Sequence, residues 1–361
     1  MDEFDLLICG AGPAGSLLGR LCSEAGIRTI IIDGRQEIGV PLYSGELVDM
    51  QSISKALNIT DEMVNFFPVD RIEYFLTVPE KNKTPIIFFS ETDESSGTLD
   101  REKLDKEMAA LAALSGADIR IRTRMLGSDR TENGFKIRII RDGRQEEISS
   151  RMIIRADGPD IIRIPDSDKV PVVSGRVFSS SLYPSQVCLG IHSNMGFKMD
   201  LQKGEGFRNL IIKGGMNNAD HYRDAGWISR YEMSFCSIFP PVPLGEMELN
   251  VGSRCIGPEP FFLSGLSLSI ETVRIAFNYA KAVINGAEFE TARESYRKSI
   301  ENLARPLEQN MELHALMENM TTRQIEDLQS YIGNFEIHGF SSDHLLQNTG
   351  LTVEKIMEEF R

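Results

Sequence analysis

One run, FDLLICGAGPAGSLLGRLCSEAGIRTIIID at residues 4–33, limits what this chain can fold into more than any other. FDLLIC is a short apolar stretch of the kind buried on both faces of a parallel sheet, and Gly10, Gly12 and Gly15 follow it at once. In a strand–turn–helix of this form Gly10 permits the turn, Gly12 lets a diphosphate approach the backbone, and Gly15 allows close helix packing. The helix start adds unpaired N–H groups and a favourable dipole. Leu17, Leu18, Leu21 and Cys22 line the helix, Gly26 stops it, and RTIIID supplies a second strand. Asp33 closes that strand about 20 residues past the turn, where an acidic side chain binds a ribose hydroxyl. The unit is a βαβ dinucleotide cradle.

Gly19 and Gly26 prolong the glycine series, and Pro13 stands inside GAGPAG. Both features point to FAD rather than NAD. The expected cofactor-binding residues here are Gly10, Gly12, Pro13, Ala14, Gly15, Asp33, Gly34 and Arg35.

The formal net charge of -14, with no dense Lys/Arg run, argues against nucleic acid and anionic membrane surfaces as partners. Five cysteines without a CxxC pair fit a reducing cytosol. The acidic opening MDEFD does not read as a signal peptide. No apolar run reaches the roughly 20 residues of a membrane span. A soluble cytoplasmic protein, with at most peripheral membrane contact, is expected. Five scattered histidines give no metal-site spacing, so no metal is expected, and there is no GxSxG elbow.

Read with the glycine motif, EIGVPLYSGELV resembles the geranylgeranyl reductase family of FAD-dependent enzymes, part of the larger group that includes p-hydroxybenzoate hydroxylase. GTLDREKLDKEMAALAALSGADIRI resembles the family segment in which an Arg, here Arg101, begins a helix beside FAD, with Asp105 at the usual spacing and Gly116 as the stop. ISSRMIIRADGPDIIR resembles the strand ending in an Asp-Gly pair near the flavin, here Asp157 and Gly158; Gly158 reads equally as a simple turn residue. FCSIFPPVPLGEMELNVG resembles the Phe-Pro segment of the substrate-side sheet, with Phe239, Pro240 and Gly252 in the matching places. The family's CGE triplet is SGE here: Ser44 keeps a hydrogen bond without thiol chemistry, and Gly45 stays on the cofactor side. Glu46 reads either as a carboxylate that orients substrate or moves protons, or as a solvated loop acid. Ser44 and Glu46 are the expected catalytic residues.

The family's Gly-Asp segment after the substrate sheet is missing, and the chain looks short there by a strand or more. Gly257, Glu259 and Ser264-Gly265 are the expected stand-ins, with Ser264 or Ser267 capping a helix from Leu268 to Ile284. Gly265 is accordingly a cofactor-binding candidate.

The expected fold is α/β. A Rossmann-like FAD-binding domain (residues 1–60, 95–165 and 252–290) interleaves with a β-rich substrate domain (61–94 and 166–251), and a helical region follows at 291–361. Within the FAD-binding domain, Leu104, Met108, Leu111 and Leu114 predict one core stripe on a helix. Two alternating runs around Asp142-Gly143 predict a hairpin. The helical pattern from Phe289 is expected to break at Pro306. Met311, Met317 and Met320 read as a core face or as a lipid-tunnel lining.

The resemblance implies hydride transfer from reduced FAD to carbon–carbon double bonds of an isoprenoid-like or other apolar lipid substrate, with electrons from an unidentified donor. Phe235, Phe239, Pro240, Phe261 and Phe262 are the candidate substrate walls, although ordinary core packing also explains the aromatic residues. A flavin-dependent hydroxylase on the same scaffold, or a degenerate nucleotide- or isoprenoid-binding protein without turnover, are the alternatives.

Overall fold

The computed structural model describes residues 2–40, 47–68, 71–77, 86–91, 96–158, 170–178, 186–192, 197–202, 207–213, 227–235, 247–257 and 265–318, with single positions beyond. The elements begin with β1 (Asp2–Cys9), α1 (Pro13–Glu24), β2 (Thr29–Ile32), β3 (Leu47–Asp49), α2 (Met50–Leu57), α3 (Asp61–Val64), β4 (Phe66–Pro68), β5 (Arg71–Thr77) and β6 (Ile86–Glu91). Then come β7 (Ser96–Leu99), α4 (Arg101–Leu114), β8 (Asp118–Arg120), β9 (Thr123–Thr131), β10 (Gly134–Arg141) and β11 (Arg144–Arg155). Five strands follow: β12 (Val170–Phe178), β13 (Gln186–His192), β14 (Phe197–Gln202), β15 (Phe207–Lys213) and β16 (Trp227–Phe235). The last elements are β17 (Glu248–Asn250), α5 (Leu266–Ile284) and α6 (Phe289–Glu318).

The first sheet runs β8-β2-β1-β11-β10-β9, with β17 also on β11. β8, β2, β1, β11 and β17 are mutually parallel, while β10 and β9 extend the sheet antiparallel. β11 serves two neighbours along one edge: Arg144–Ser150 pair with β10, and Ile153–Arg155 pair with β17. A second sheet has the order β16-β12-β15-β14-β13-β5-β6, and β3, β7 and β4 make a small third one. β14 is a strand that the sequence pattern does not announce.

β1 explains why FDLLIC shows no alternation. Leu6 and Ile8 face a core shared with Leu17, Leu18 and Cys22 of α1, Leu104 and Met108 of α4, and Ile270 and Val273 of α5. Leu7 and Cys9 face the opposite way, against Ile30, Ile32, Ile137, Ile139, Ile148 and Ile153. Helices thus cover one face of the parallel strands and the β9–β11 meander packs with the other. The meander turns at Asp142 (φ +47°) and Gly143 (φ +81°), with Arg141 opposite Arg144. Positive φ at both central residues is what a two-residue hairpin turn requires.

Three local expectations need correction. Leu104 and Met108 are fully buried, but Leu114 is 85% exposed, and Ala109 and Ala112 fill the interface instead. The steps from Met108 to Leu111 and from Leu111 to Leu114 are three residues each, short of a full helical turn, so the series drifts backwards off the buried face that Leu104, Met108 and Ala112 share. α6 runs unbroken through Pro306. Phe289, Ala292, Tyr296, Ile300, Leu303, Ala304 and Leu307 all pack on the core around it, and this burial offsets the lost backbone bond. α5 begins at Leu266, two residues early, with Gly265 as N-cap and no side-chain cap. No helix among the described residues is long and apolar enough to cross a membrane.

Where β1 hands over to α1, two stretches of backbone meet directly. A Cβ on Gly15 would lie 1.9 Å from the Gly10 carbonyl oxygen, whereas one on Gly12 would meet nothing within 4 Å. Gly15→Ala, normally favourable inside a helix, should therefore destabilise the protein by about 2–3 kcal/mol. Gly12→Ala should change stability by less than about 0.5 kcal/mol. Urea unfolding measures both, and a Gly15→Ala variant as stable as the parent would refute the contact.

Candidate cofactor site

The site is built at the C-terminal ends of the parallel strands. Gly10 takes φ +108°, and its N–H donates to the Ile32 carbonyl (2.7 Å), closing the turn. Gly12 is the N-cap of α1 with extended backbone and no side-chain cap; Pro13 follows in the first turn, where its missing N–H costs nothing. Intrahelical bonding leaves the Ala14 and Gly15 N–H groups unpaired at such a start. The helix N-terminus therefore opens on the bare surface at Gly12.

Asp33 follows β2 directly and is 5% exposed. Oδ2 accepts from the Ala11 N–H (2.8 Å) and an Arg35 guanidinium N–H (2.8 Å). Oδ1 accepts from the Arg35 backbone N–H (2.8 Å) and Arg35 Nε (3.0 Å). Burial alone would raise this carboxyl, but the Arg35 guanidinium and the two N–H groups outweigh it and hold Asp33 below the ordinary carboxylate value. Gly34 lies under Arg124, whose Nε would be 2.5 Å from a Cβ there. Arg101 opens α4 and pairs with Asp105 one turn on (3.1 Å), both nearly buried. Here burial wins: Asp105 is pushed up despite Arg101 and Arg35. The charges of Asp33, Arg35 and Arg101 all act on Asp105, so the four groups lie within electrostatic reach of one another.

The other wall comes from the ends of β11 and β17. Gly10 is seated on Ala156, whose carbonyl oxygen would be 2.4 Å from a Gly10 Cβ. Asp157 accepts from Arg155 (2.7 Å) and pairs with Arg254 (3.2 Å), and Gly158 takes φ +82°. β17 leads into a single 3-10 turn at Gly252–Arg254. Gly252 (φ +64°) faces Ala14 so closely that a Cβ would lie 2.8 Å from the alanine's, and its N–H donates to the buried Thr272 hydroxyl (2.8 Å). Tyr296 of α6 donates to the Asn250 carbonyl (3.1 Å).

β17, which comes from the segment read as part of the substrate-side sheet, instead joins the first sheet beside β11. Gly252, placed by sequence in a substrate-side segment, instead backs onto the glycine-turn helix. Neither Thr272 nor Arg254 belongs to a motif legible in the sequence; the GSR turn directly after LNV is the local signal. Ser44, Gly45, Glu46, Phe239, Pro240, Glu259, Phe261, Phe262 and Ser264 lie outside the described residues, and Phe235 ends β16 in the second sheet. Burial pushes the Cys9 and Cys22 thiols up to about 12 and Cys255 to about 11, so all three remain protonated at neutral pH.

The model for an FAD binding domain matches residues 3–162. The digeranylgeranylglycerophospholipid reductase of Thermoplasma volcanium is 30% identical over 311 residues, which cover 79% of this chain and 76% of the relative. The chain belongs to the geranylgeranyl reductase family. The reductase of the same name from Thermoplasma acidophilum is 26% identical over 317 residues, 79% of this chain and 76% of the relative. In structure, a geranylgeranyl bacteriochlorophyll reductase-like protein of Thermoplasma acidophilum matches all of both chains with a TM-score of 0.84 at 21% identity. The myxobacterial chondrochloren halogenase, an FAD-dependent halogenase, covers 99% of this chain and 97% of its own at 0.66 and 14%. These two likenesses concern the fold. The cofactor of this family member is FAD, and the protein is an FAD-dependent oxidoreductase.

The residues present fit that cofactor: the space a Cβ would fill at Gly12 is open, and it lies at a helix start without a side-chain cap. Because Asp33 is held below its ordinary value of about 4, its contribution to stability is complete above that pH and is lost as pH falls through the folded value. Asp105 acts in the opposite sense, its contribution declining as pH rises from about 4 through the raised value. Asp33→Asn should cost about 2 kcal/mol at pH 7 and flatten the acid limb of the stability curve. Denaturant melts between pH 3 and pH 7, on the order of one per half unit, check this; an unchanged acid limb would count against the pairing.

Proposed function

We propose that this protein saturates carbon–carbon double bonds in the isoprenoid chains of an apolar lipid, with FAD lying along the C-terminal ends of the parallel strands. The observation that carries the reading is the bare, uncapped start of α1 at Gly12, set between the Asp33 cluster and the Asp157–Gly252 wall. Membership of a family whose curated relatives are named lipid reductases supports the substrate class. FAD, when bound and reduced, supplies the hydride to one alkene carbon, and a proton from solvent or a side chain reaches the other.

The chain's share is binding, orientation and exclusion of water. Backbone N–H groups of Ala14 and Gly15, with Gly10, Gly12 and Pro13 shaping the turn, hold the diphosphate. Asp33, Gly34 and Arg35 frame the adenosine ribose. All four of the acceptor positions a carboxylate offers are taken at Asp33, so the Arg35 guanidinium is the group that meets the ribose oxygens. Arg101, Asp157, Gly158 and Gly265 complete the cofactor wall, with Gly45 on the flavin side. Ser44 donates a hydrogen bond near the reacting atoms, and Glu46 orients substrate or delivers the proton. Phe235, Phe239, Pro240 and Phe262 line the lipid path. Electrons come from a separate donor. The free thiols at Cys9, Cys22 and Cys255 support a cytoplasmic location.

Purified protein should be yellow, bleach under anaerobic dithionite, and regain colour when a polyprenyl lipid is added, with the lipid heavier by two hydrogens per turnover. Oxygen-dependent recovery with a hydroxylated product would instead support the hydroxylase, and a protein that takes up no FAD would support the degenerate binder. Gly12→Val should lose FAD through steric blocking of the diphosphate while keeping its fold. Flavin absorbance per mole of protein reads this, and equal retention would refute the placement.

A further inference from the structure

We propose that Arg254 is a positioning residue for the cofactor cleft, fixing the turn after β17 against the glycine turn by clamping the ends of β11 and β17 together. This rests on the reading that the Gly10–Gly15 turn holds FAD.

The turn at Gly252–Arg254 is anchored on its core side, where Val251 and Ile256 are buried and Tyr296 donates to the Asn250 carbonyl. It is a single 3-10 turn, and β17 before it pairs with β11 through only three residues, Glu248, Leu249 and Asn250. Beyond that pairing the Val251 N–H reaches the Arg155 carbonyl (2.9 Å), and Thr272 holds Gly252 from α5. Arg254 supplies lateral attachment. Its side chain is 11% exposed and, among the described residues, reaches Asp157 Oδ1 (3.2 Å), the Gly158 carbonyl (3.5 Å) and Asn250 Oδ1 (3.2 Å).

Those points close a ring of contacts around the start of α1. Gly10 lies on Ala156, Asp157 follows Ala156, Arg254 grips Asp157, and Gly252, two residues before Arg254, presses on Ala14. Cutting the ring at Arg254 frees the 252–254 turn to move relative to Ala14, whose N–H faces the diphosphate in the proposed complex. The Asp157 carboxylate lies between two guanidinium groups, Arg155 and Arg254, so its effect on the cofactor is exerted through this clamp. A planar fork suits a three-point grip better than a lysine's single ammonium.

The test is FAD affinity, measured by flavin fluorescence on the full chain stripped of FAD, with the thermal midpoint followed separately. Arg254→Met and Asp157→Asn should each weaken FAD binding about tenfold, and Arg254→Lys by only about two- to threefold. The double variant should bind no more weakly than Arg254→Met alone, because both changes break the same clamp. Arg254→Met that binds FAD within about twofold of the parent overturns the proposal even if its thermal midpoint falls, as do effects that multiply in the double variant. If Arg254→Met fails to fold, Asp157→Asn and Arg254→Lys decide by the same thresholds. Gly12→Val serves as control. FAD binding lost there but unchanged in the Arg254 variants overturns this proposal alone, while undiminished binding in Gly12→Val overturns the cofactor placement and this proposal with it.

Discussion

The contact between Gly15 and the Gly10 carbonyl is the constraint on which the site depends. Two stretches of backbone approach so closely that a single methyl group would collide with the peptide oxygen. That approach lets α1 start at the very end of β1 and aims its first N–H groups at a surface with no side chain on it. Leu17, Leu18 and Cys22 anchor the rest of the helix in the core, so the close approach is enforced by burial along α1 rather than by the turn itself.

From this contact the neighbouring pieces follow. Gly10 meets Ala156 at the end of β11, and Ala14 meets Gly252 after β17. Three chain segments far apart in sequence therefore converge on one helix end. The parallel order of β2, β1, β11 and β17 makes this possible, because all four strands finish on the same side of the sheet. A ligand lying along that edge meets backbone more than side chains, as an elongated dinucleotide requires.

Charge is organised by the same geometry. Asp33 is saturated by the Arg35 guanidinium and by two backbone N–H groups, and Arg101 with Asp105 forms a second pair within electrostatic reach. Removing four charged groups from water is costly, so the cluster contributes more to a fixed, polar floor under the proposed adenosine site than to net stability. Asp33 and Asp105 shift in opposite directions: paired donors hold the first below the ordinary carboxylate value, while burial pushes the second above it.

Much was written locally in the amino-acid order. The βαβ unit, its glycine turn, Asp33 at the strand end, the Arg101–Leu114 helix and the Asp142-Gly143 hairpin all depend on neighbours a few residues apart, whose spacing and turn chemistry are legible directly. Tertiary packing decided the rest. It carried α6 through Pro306. It also recruited a three-residue strand, too short to leave a periodic signal, into the parallel sheet, and engaged Thr272 and Arg254 through partners at Gly252 and Asp157. Spacing records what a segment does to itself, whereas these outcomes are contacts between segments that only a closed core brings within reach.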